Sequence, residues 1–309
     1  MKIAINGTSG FVGSNLCEFL ASKGHEILKI KREIYADISA LTEILQECDA
    51  LINLAGANIS QRWSQSYKNE LFNSRIASTK NLVLALSKTS KKPKIFISTS
   101  AVGIYESGLI HDESSQNFNK GFLGKLAVAW ENEALKASEL GVKTAIFRLG
   151  VVLGRGVDGK TGGALAKMLP IFKLGLGGVL AGGKQSFSWV HLDDLLKAYE
   201  LVLNREISGI FNLVSPEFAT NESFTKALAN TLKRPAIFNV PSFVLQLKFG
   251  EGSAILLEGA DVRPVNLLKQ GFEFKFGDLN AALSEILSLD FLKAQQNLSR
   301  FSLINFSSF

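Results

Sequence analysis

Short apolar runs alternate with segments of helical periodicity along most of the chain. The first run, Lys2–Asn6, leads directly into Gly7, Gly10 and Gly13, and apolar residues then recur at helical spacing as far as Gly24. Comparable strand-like runs lie within 25–30, 49–56, 94–100, 142–149 and 209–214, and helical segments lie within 74–86, 122–140, 165–174 and 221–232. Strands that alternate with helices are typical of a parallel sheet covered on both faces. The pattern predicts an α/β fold with a Rossmann-type doubly wound parallel sheet.

The carboxyl-terminal part has a different pattern, with a short strand, helices and an aromatic segment over 271–276. It predicts a smaller C-terminal α+β substrate lobe. The predicted divisions are a dinucleotide-binding Rossmann domain over 1–235, whose segment 155–235 also contributes to the cleft, a lobe over 236–289 and a tail over 290–309. The tail is rich in Ser, Asn and Phe, and the sequence leaves open whether Phe301, Phe306 and Phe309 pack on the body or on a partner.

The glycine turn near the start of the chain has the spacing of a dinucleotide-binding motif. Gly7 permits a tight turn, Gly10 lets the backbone approach a pyrophosphate, and Gly13 lets the helix pack closely on the strand. Backbone amides at the helix start and the positive end of its dipole favour a diphosphate. The predicted cofactor site includes the whole turn: Gly7, Thr8, Ser9, Gly10, Phe11, Val12 and Gly13. The alternative is a purely structural turn, because glycines also mark ordinary turns.

The residues after the second strand bear on the choice between NADP and NAD. Folds that bind NAD place an acid about 20 residues past the glycines, where it bonds the adenosine ribose. Here Lys31 and Arg32 occupy that region, 18 and 19 residues after Gly13. A cationic pair could hold a 2′-phosphate, which the guanidinium can bind in a bidentate manner. We predict NADP. Glu33 keeps NAD possible, and a solvated strand end is the simpler alternative.

Two further segments are candidates for the wall of a cofactor site. Leu54, Ala55 and Gly56 end a buried strand, and small residues there would let the cofactor pass close to the backbone. Arg75 follows in the next helix, where it either makes a surface ion pair or holds a loop near the cofactor.

Three hydroxyl residues, Ser98, Thr99 and Ser100, end the next strand-like run, at the edge where open α/β sheets bind ligands. Their hydroxyls could polarise a substrate carbonyl or hydroxyl, or could only satisfy backbone groups at the strand end. The position favours a functional role, above all for Ser100.

A glycine-rich stretch over 175–188 lies beyond the strand that ends near 149. Its many glycines and few anchoring side chains suit a mobile loop that closes over a ligand, and its Lys184 and Gln185 could contact substrate. Trp189 and His191 follow as candidate substrate contacts, although His191 could equally be a hydrogen-bonded structural histidine.

Composition and charge exclude several classes of function. The 309-residue chain carries 34 basic and 28 acidic residues, a net charge of +6, but the basic residues are scattered. We therefore expect no nucleic-acid binding, only attraction for an anionic cofactor or substrate. Cys17 and Cys48 are too few for a disulfide framework, and three scattered histidines imply no metal. Charged residues and Pro170 interrupt the most apolar stretch, and the amino terminus reads as a strand. We expect a cytoplasmic protein without a membrane segment or signal peptide.

A series of short motifs, each present once, lies along the chain in a definite order. The general ones are Gly7-x-x-Gly10-x-x-Gly13, Asn53-Leu-Ala-Gly56, Ser98-Thr-Ser100 with Tyr105 after it, and Arg148-x-Gly150. The narrower ones include Arg62-Trp63, Ser74-Arg75, Trp130-Glu131, Ser188-Trp-Val-His191 and Val262-Arg-Pro-Val-Asn-Leu. The general motifs resemble the extended short-chain dehydrogenase/reductase superfamily, in its NAD-dependent epimerase/dehydratase branch. The narrower ones resemble the "epimerase family protein" group within it, over about residues 1–288 and including a carboxyl-terminal module typical of that group.

The resemblance implies a nicotinamide cofactor, usually NADP in this group, and on its basis Ser98 and Arg148 are added to the predicted cofactor site. It also implies chemistry by a Ser or Thr with a Tyr and a Lys four residues apart, in which the Lys lowers the pKa of the Tyr. The chain departs from that pattern, because Leu123 and Ala127 occupy the expected Tyr and Lys positions. Lys125 lies close in register, but no phenol accompanies it.

Two functions are compatible with these observations. One is an NADP(H)-dependent oxidoreductase or epimerase of unknown small-molecule substrate, which uses Ser100 with Tyr105 or Lys125 in an altered mechanism. The other is a non-catalytic NADPH-binding regulator, in which the cofactor positions a surface for a protein partner. The glycine loops and Trp189–His191 favour the first. The resemblance also allows a homodimer, because two-helix dimer faces are common in the superfamily.

Overall fold

A computed structural model describes residues 1–288, and a six-stranded parallel sheet lies at its centre. The strands along the described chain are β1 Lys2–Asn6, β2 Glu26–Ile30, β3 Ala50–Asn53, β4 Ile95–Ala101, β5 Ile110–His111, β6 Lys143–Leu149, β7 Val151–Leu153, β8 Gly178–Leu180, β9 Trp189–His191, β10 Gly209–Leu213, β11 Phe238–Val240 and β12 Asp261–Val262. In the central sheet the order is β2-β1-β3-β4-β6-β10, and all neighbours are parallel. The predicted Rossmann-type α/β fold is confirmed.

Helices connect the strands and cover both faces of the sheet. They are α1 Phe11–Ser22, α2 Ile38–Glu47, α3 Gln65–Lys88, α4 Phe122–Glu139, α5 Gly163–Lys173, α6 Leu192–Arg205, α7 Asn221–Leu232, α8 Ser242–Phe249, α9 Ala254–Leu257 and α10 Val265–Lys269, with a further helix, α11, over 279–288. Side chains at the helix starts satisfy free amides, as when Asp37 accepts from Ala40 N and Ser64 accepts from Tyr67 N.

The alternation of side chains along the strands divides the core into two layers. Ile3 and Ile5 of β1 point to the face covered by α1 and α6, whereas Ala4 points to the face covered by α2, α3 and α4. All three residues are fully buried. Continuous apolar runs in these strands follow from this burial on both faces.

The chain changes direction across the sheet after β2. Strand β2 pairs with one side of β1, and the chain then crosses through α2 so that β3 pairs with the other side. In open α/β sheets the crevice at such a switch point, beyond the carboxyl ends of the strands, is the usual ligand site. The glycine turn after β1 opens into this crevice.

Of the three small parallel pairs, β7–β9 lies within residues 151–191, whereas β5–β12 and β8–β11 attach the carboxyl-terminal part to the rest of the chain. Its apolar core combines residues of α5, α7 and α11. The predicted mobile stretch over 175–188 is corrected here: it contains β8, and the Gln185 amide donates to the carbonyls of Leu180 and Leu256. Among residues 1–288 no helix combines the length and apolar character needed to cross a bilayer. The predicted tail and its phenylalanines lie outside the described residues.

Candidate functional site

The glycine turn forms one end of a cavity of about 550 Å³ over the carboxyl ends of β1, β2 and β3. Nine residues of the predicted cofactor site line it: Gly7, Thr8, Ser9, Gly10, Lys31, Arg32, Leu54, Ala55 and Gly56. The structure also adds residues from the segment between β2 and α2 and from α3, among them Tyr35, Ser74, Ser78 and Asn81. Residues far apart in the sequence are thus brought into one concave site of the size that ligands use.

The three glycines of the turn differ in what a side chain at each position would meet. Gly7 has a φ of +70°, and a Cβ there would lie 2.7 Å from the Leu54 carbonyl carbon. A Cβ on Gly13 would lie 2.2 Å from the carbonyl oxygen of Gly7, so Gly13 permits the close contact between helix and turn. Gly10 has an extended conformation and ordinary space around it. Gly10 is therefore free of a packing requirement, which is consistent with a role at the ligand.

Phe11, Val12 and Gly13, also predicted for the cofactor site, do not line this cavity. The ring of Phe11 packs against Gly162 and Gly163 at the start of α5, where added Cβ atoms would lie 2.1 and 3.0 Å from it. At these three positions only the backbone amides remain available for the predicted diphosphate contact.

Tyr35 is a cavity residue that the sequence analysis missed. Its hydroxyl accepts a hydrogen bond from the Gly7 amide at 2.9 Å, and Asn81 Nδ2 donates to its carbonyl oxygen at 2.9 Å. Burial raises the pKa of the Tyr35 phenol, so the hydroxyl is neutral at physiological pH. The only sequence signal was an aromatic residue five positions beyond β2, which no motif singles out.

Lys31 and Arg32 line the outer part of the cavity and are exposed. Neither side chain has an ion-pair partner among residues 1–288, although Glu33 lies beside them in the cavity wall. Two cations at the end of β2, unpaired among the described residues, are thus available to an anionic ligand, and their role in binding one stays a prediction.

A buried amide network supports the cavity floor. Asn6 Nδ2 donates to Asn53 Oδ1 at 2.8 Å, and Asn6 Oδ1 accepts from the amides of Leu54 and Ala55. Asn53 Nδ2 donates in turn to the hydroxyls of Thr79 and Ser98. Ser98, predicted to contact the cofactor, is 1% exposed, so its side chain belongs to this support and does not form the wall.

A second buried network occupies the edge of the sheet where the catalytic hydroxyls were predicted. Arg148 Nε and Nη2 donate to the two carboxylate oxygens of Glu131 at 2.8 and 2.7 Å, and Ser100 Oγ donates to the same carboxylate at 2.6 Å. Arg148 Nη1 donates to the Tyr105 hydroxyl, which donates to Asn212 Oδ1.

These contacts bear on four predicted roles. Arg148, predicted to contact the cofactor, is 2% exposed, and its guanidinium donates its hydrogen bonds to Glu131 and Tyr105. Burial acts to lower the pKa of Arg148, but the hydrogen bonds and charge of Glu131 outweigh it and raise that pKa. Ser100 and Tyr105 are equally buried, and burial raises the pKa of the Tyr105 phenol. Lys125 is exposed on α4, and no hydrogen bond or ion pair joins its side chain to either hydroxyl.

The predicted substrate contacts are also buried. Trp189 has no exposed surface and packs in the core with α5 and α7. His191 accepts from the Asp193 amide through Nδ1 and lies 3.2 Å from Glu285 through Nε2, with its ring against Phe276. Both therefore hold the lobe against the sheet, which is the structural alternative considered for His191. Lys184 remains exposed, away from these contacts.

The structure decides between the two interpretations of Arg75. Its Nη2 donates to the Ala57 carbonyl at 3.1 Å and its Nη1 to the Leu71 carbonyl at 3.2 Å. The guanidinium carbon lies 2.9 Å from the position of a Cβ on Gly56 and 5.4 Å from the centre of the Trp130 ring. Arg75 thus holds the loop behind the cavity wall.

Strand order, glycine turn and switch-point cavity together define a Rossmann-type α/β protein with a nucleotide-sized crevice. The chain belongs to the NAD dependent epimerase/dehydratase family, whose model matches residues 3–213. A second model, described as a domain of unknown function (DUF1731), matches residues 240–286.

Relatives extend over almost the whole chain. The mouse epimerase family protein SDR39U1 is 35% identical over 300 residues, which cover 93% of this chain and all of the mouse protein. The Bacillus subtilis epimerase family protein YfhF is 32% identical and is covered over 98% of its length.

Among solved structures, human SDR39U1 (isoform 2) with NADPH superimposes with a TM-score of 0.84 at 33% identity, covering 93% of this chain and 99% of the human one. The UDP-glucuronic acid 4-epimerase from Bacillus cereus, in complex with NAD, gives a TM-score of 0.73 at 17% identity, with coverage of 93% and 96%. The second likeness shows the shared fold alone.

Proposed function

We propose that this protein binds NADP(H) and acts as an oxidoreductase- or epimerase-like member of its family on a small molecule. The observation that carries the proposal is the single cavity shared by the glycine turn, the cationic end of β2 and the small residues after β3. The NADPH in the human SDR39U1 structure supports the same assignment. When bound, the nicotinamide supplies hydride transfer, while the chain holds and orients the dinucleotide.

The preference for NADP rests on Lys31 and Arg32. Both are exposed in the cavity without an acidic partner in the described chain, so a 2′-phosphate would meet two cations there. A ribose hydroxyl would gain less from them, since charge-assisted bonds are about twice as strong as neutral ones. The proposal therefore includes discrimination between NADPH and NADH.

This discrimination is testable with Arg32→Ala. The variant is expected to weaken NADPH binding by about tenfold or more through loss of a charged contact, and NADH binding by less than twofold. Fluorescence titration of the two reduced nucleotides measures both constants on one protein sample. An equal loss for NADPH and NADH would contradict the assignment of the 2′-phosphate to Arg32.

A specific observation favours the second candidate, an NADPH-binding regulator that acts through a protein partner. The hydroxyls of Ser100 and Tyr105 donate their hydrogen bonds to Glu131 and Asn212. Leu123 and Ala127, at the expected Tyr and Lys positions, have no group that transfers a proton. General acid–base catalysis contributes roughly 10² to 10⁴ in rate, so an enzyme built this way would be slow unless other groups replace it.

Turnover separates the two candidates. Purified protein is incubated with NADPH or NADP⁺ and a panel of nucleotide sugars, aldehydes and quinones, with absorbance and product chromatography as readouts. Oxidation, reduction or epimerisation of any compound supports the enzyme. Loss of that turnover in Ser100→Ala would assign a catalytic role to the buried network of Ser100, Glu131 and Arg148. Tight NADPH binding without turnover supports the regulator.

We also propose a cytoplasmic location, which two free, buried cysteines support.

A further inference from the structure

Arg75 is a half-buried cation that no carboxylate among residues 1–288 compensates. Its hydrogen bonds run to the carbonyl oxygens of Leu71 and Ala57, and it has no ion-pair partner among residues 1–288. Burial lowers the pKa of the Arg75 guanidinium to about 10, against a small opposing effect of Tyr67. The group remains charged at neutral pH, so the protein holds an uncompensated positive charge here.

The charge lies one layer behind the wall of the dinucleotide cavity. Gly56 and Ala57 line that cavity, and the Arg75 guanidinium packs against Gly56 and donates a hydrogen bond to the Ala57 carbonyl. Ser74, the neighbour of Arg75 on α3, also faces the cavity. A ligand in the crevice would therefore lie against residues that the Arg75 guanidinium contacts, and partly desolvated surroundings screen the field of the cation less than water would.

A partly desolvated charge without a counter-charge is unfavourable to folding, and a ligand of opposite charge reduces that cost. Carbonyl dipoles stabilise Arg75 in part, but two carbonyls supply no net negative charge. A dinucleotide bound in the cavity that Gly56 and Ala57 line would bring negative charge near Arg75 through its phosphates. NADPH and NADH both carry the diphosphate, so the cation would attract either nucleotide.

We propose that Arg75 is an electrostatic positioning residue for the dinucleotide, a cation that is compensated only when the diphosphate is bound. This inference rests on the proposed NADP(H) binding and adds a second charged determinant, which acts on NADPH and NADH alike. Arg75 would then lower the stability of the cofactor-free protein and raise its affinity for the dinucleotide.

The test compares Arg75→Gln with the wild-type protein in titrations of NADPH and NADH at two salt concentrations. Gln keeps an amide donor for a loop carbonyl but removes the charge. The expected result is an increase of about tenfold in both dissociation constants, as for loss of one partly screened charge, and a smaller dependence of binding on salt. The melting temperature of the cofactor-free variant should be unchanged or higher, whereas its shift with NADPH should shrink.

Two variants complete the design. Arg75→Lys retains the charge and should bind NADPH within about threefold of wild type, while Lys80→Gln removes an exposed charge from the same helix and should change nothing. If Arg75→Gln fails to fold, the Lys variant decides: a folded protein with an affinity loss of about tenfold overturns the role of charge. Lower stability with unchanged affinity in Arg75→Gln would also overturn it. Wild-type protein that binds neither nucleotide would instead refute the proposed function itself.

Discussion

A single phenol joins the glycine turn to the segment after β2. Tyr35 comes from a part of the chain that carries no motif, yet its hydroxyl is the acceptor for the Gly7 amide at 2.9 Å. The contact fixes the first amide of the turn in place before a ligand arrives. Preorganisation of this kind raises affinity because less conformational entropy is lost when the ligand binds.

Removing that hydroxyl should weaken the binding of both nucleotides. In Tyr35→Phe the ring and its packing remain, but the Gly7 amide loses its acceptor. A neutral hydrogen bond contributes about 1 kcal/mol, so an increase of about fivefold in the dissociation constants of NADPH and NADH is expected. Isothermal calorimetry at pH 7 measures both constants, with Arg32→Ala as the control that affects chiefly NADPH. Tighter binding would mean that the hydroxyl competes with the ligand for the Gly7 amide.

The glycines of the turn should separate into structural and binding positions. A Cβ on Gly13 would lie 2.2 Å from the Gly7 carbonyl oxygen, whereas a Cβ on Gly10 would meet that atom at 3.4 Å. Gly13→Ala is therefore expected to lower the free energy of unfolding by about 2 kcal/mol or more, and Gly10→Ala by less than about 1 kcal/mol. Urea unfolding gives both values. Gly10→Ala should nevertheless weaken NADPH binding, and equal stability losses in the two variants would contradict the division.

At the scale of elements, the sequence was a good guide to strands and a poor guide to side-chain roles. Apolar runs and glycines identified β1, β3, β4 and β6, because burial on both faces leaves a plain signal. The position of a hydroxyl at a strand end did not say which way it points. Ser100 and Arg148 lie at the predicted edge but turn to Glu131 on α4, an interaction across helix and sheet that no local pattern contains.

The pair between Glu131 and Arg148 should be a major stabilising contact of α4 with the sheet. Both side chains are at most 5% exposed, and Glu131→Gln would leave the Arg148 cation buried without its counter-charge. Breaking one side of such a pair costs about 3 to 5 kcal/mol in the free energy of unfolding. Chemical denaturation measures the loss. The matched control is Glu206→Gln, which breaks surface pairs with Lys143 and Lys94 and should change stability little. Equal effects of the two variants would contradict the argument.

For the whole molecule, the fold class followed from the sequence, and the attachment of the carboxyl-terminal part did not. The β5–β12 pair joins residues about 150 positions apart, and Glu113 accepts from the amides of Asn212 and Asn266. Such long-range pairs depend on the assembled chain and leave no periodic signal. The same reason explains why Trp189 and His191, read as substrate contacts, are anchors of the lobe.

The attachment of the lobe should depend on one buried carboxylate. Asp194 at the start of α6 is fully buried and accepts from the amides of Lys275 and Phe276 at 2.8 and 2.9 Å. Asp194→Ala leaves two amides without an acceptor, each at a cost of about 1 to 3 kcal/mol. Hydrogen exchange should therefore accelerate across 272–288, while β1, β3 and β4 keep their protection, because the central sheet does not rest on this contact. Asp193→Ala, which removes a half-exposed partner of Lys275, is the control and should leave exchange nearly unchanged. Uniform acceleration over the entire sheet in Asp194→Ala would instead show that the lobe and the Rossmann core unfold as one unit.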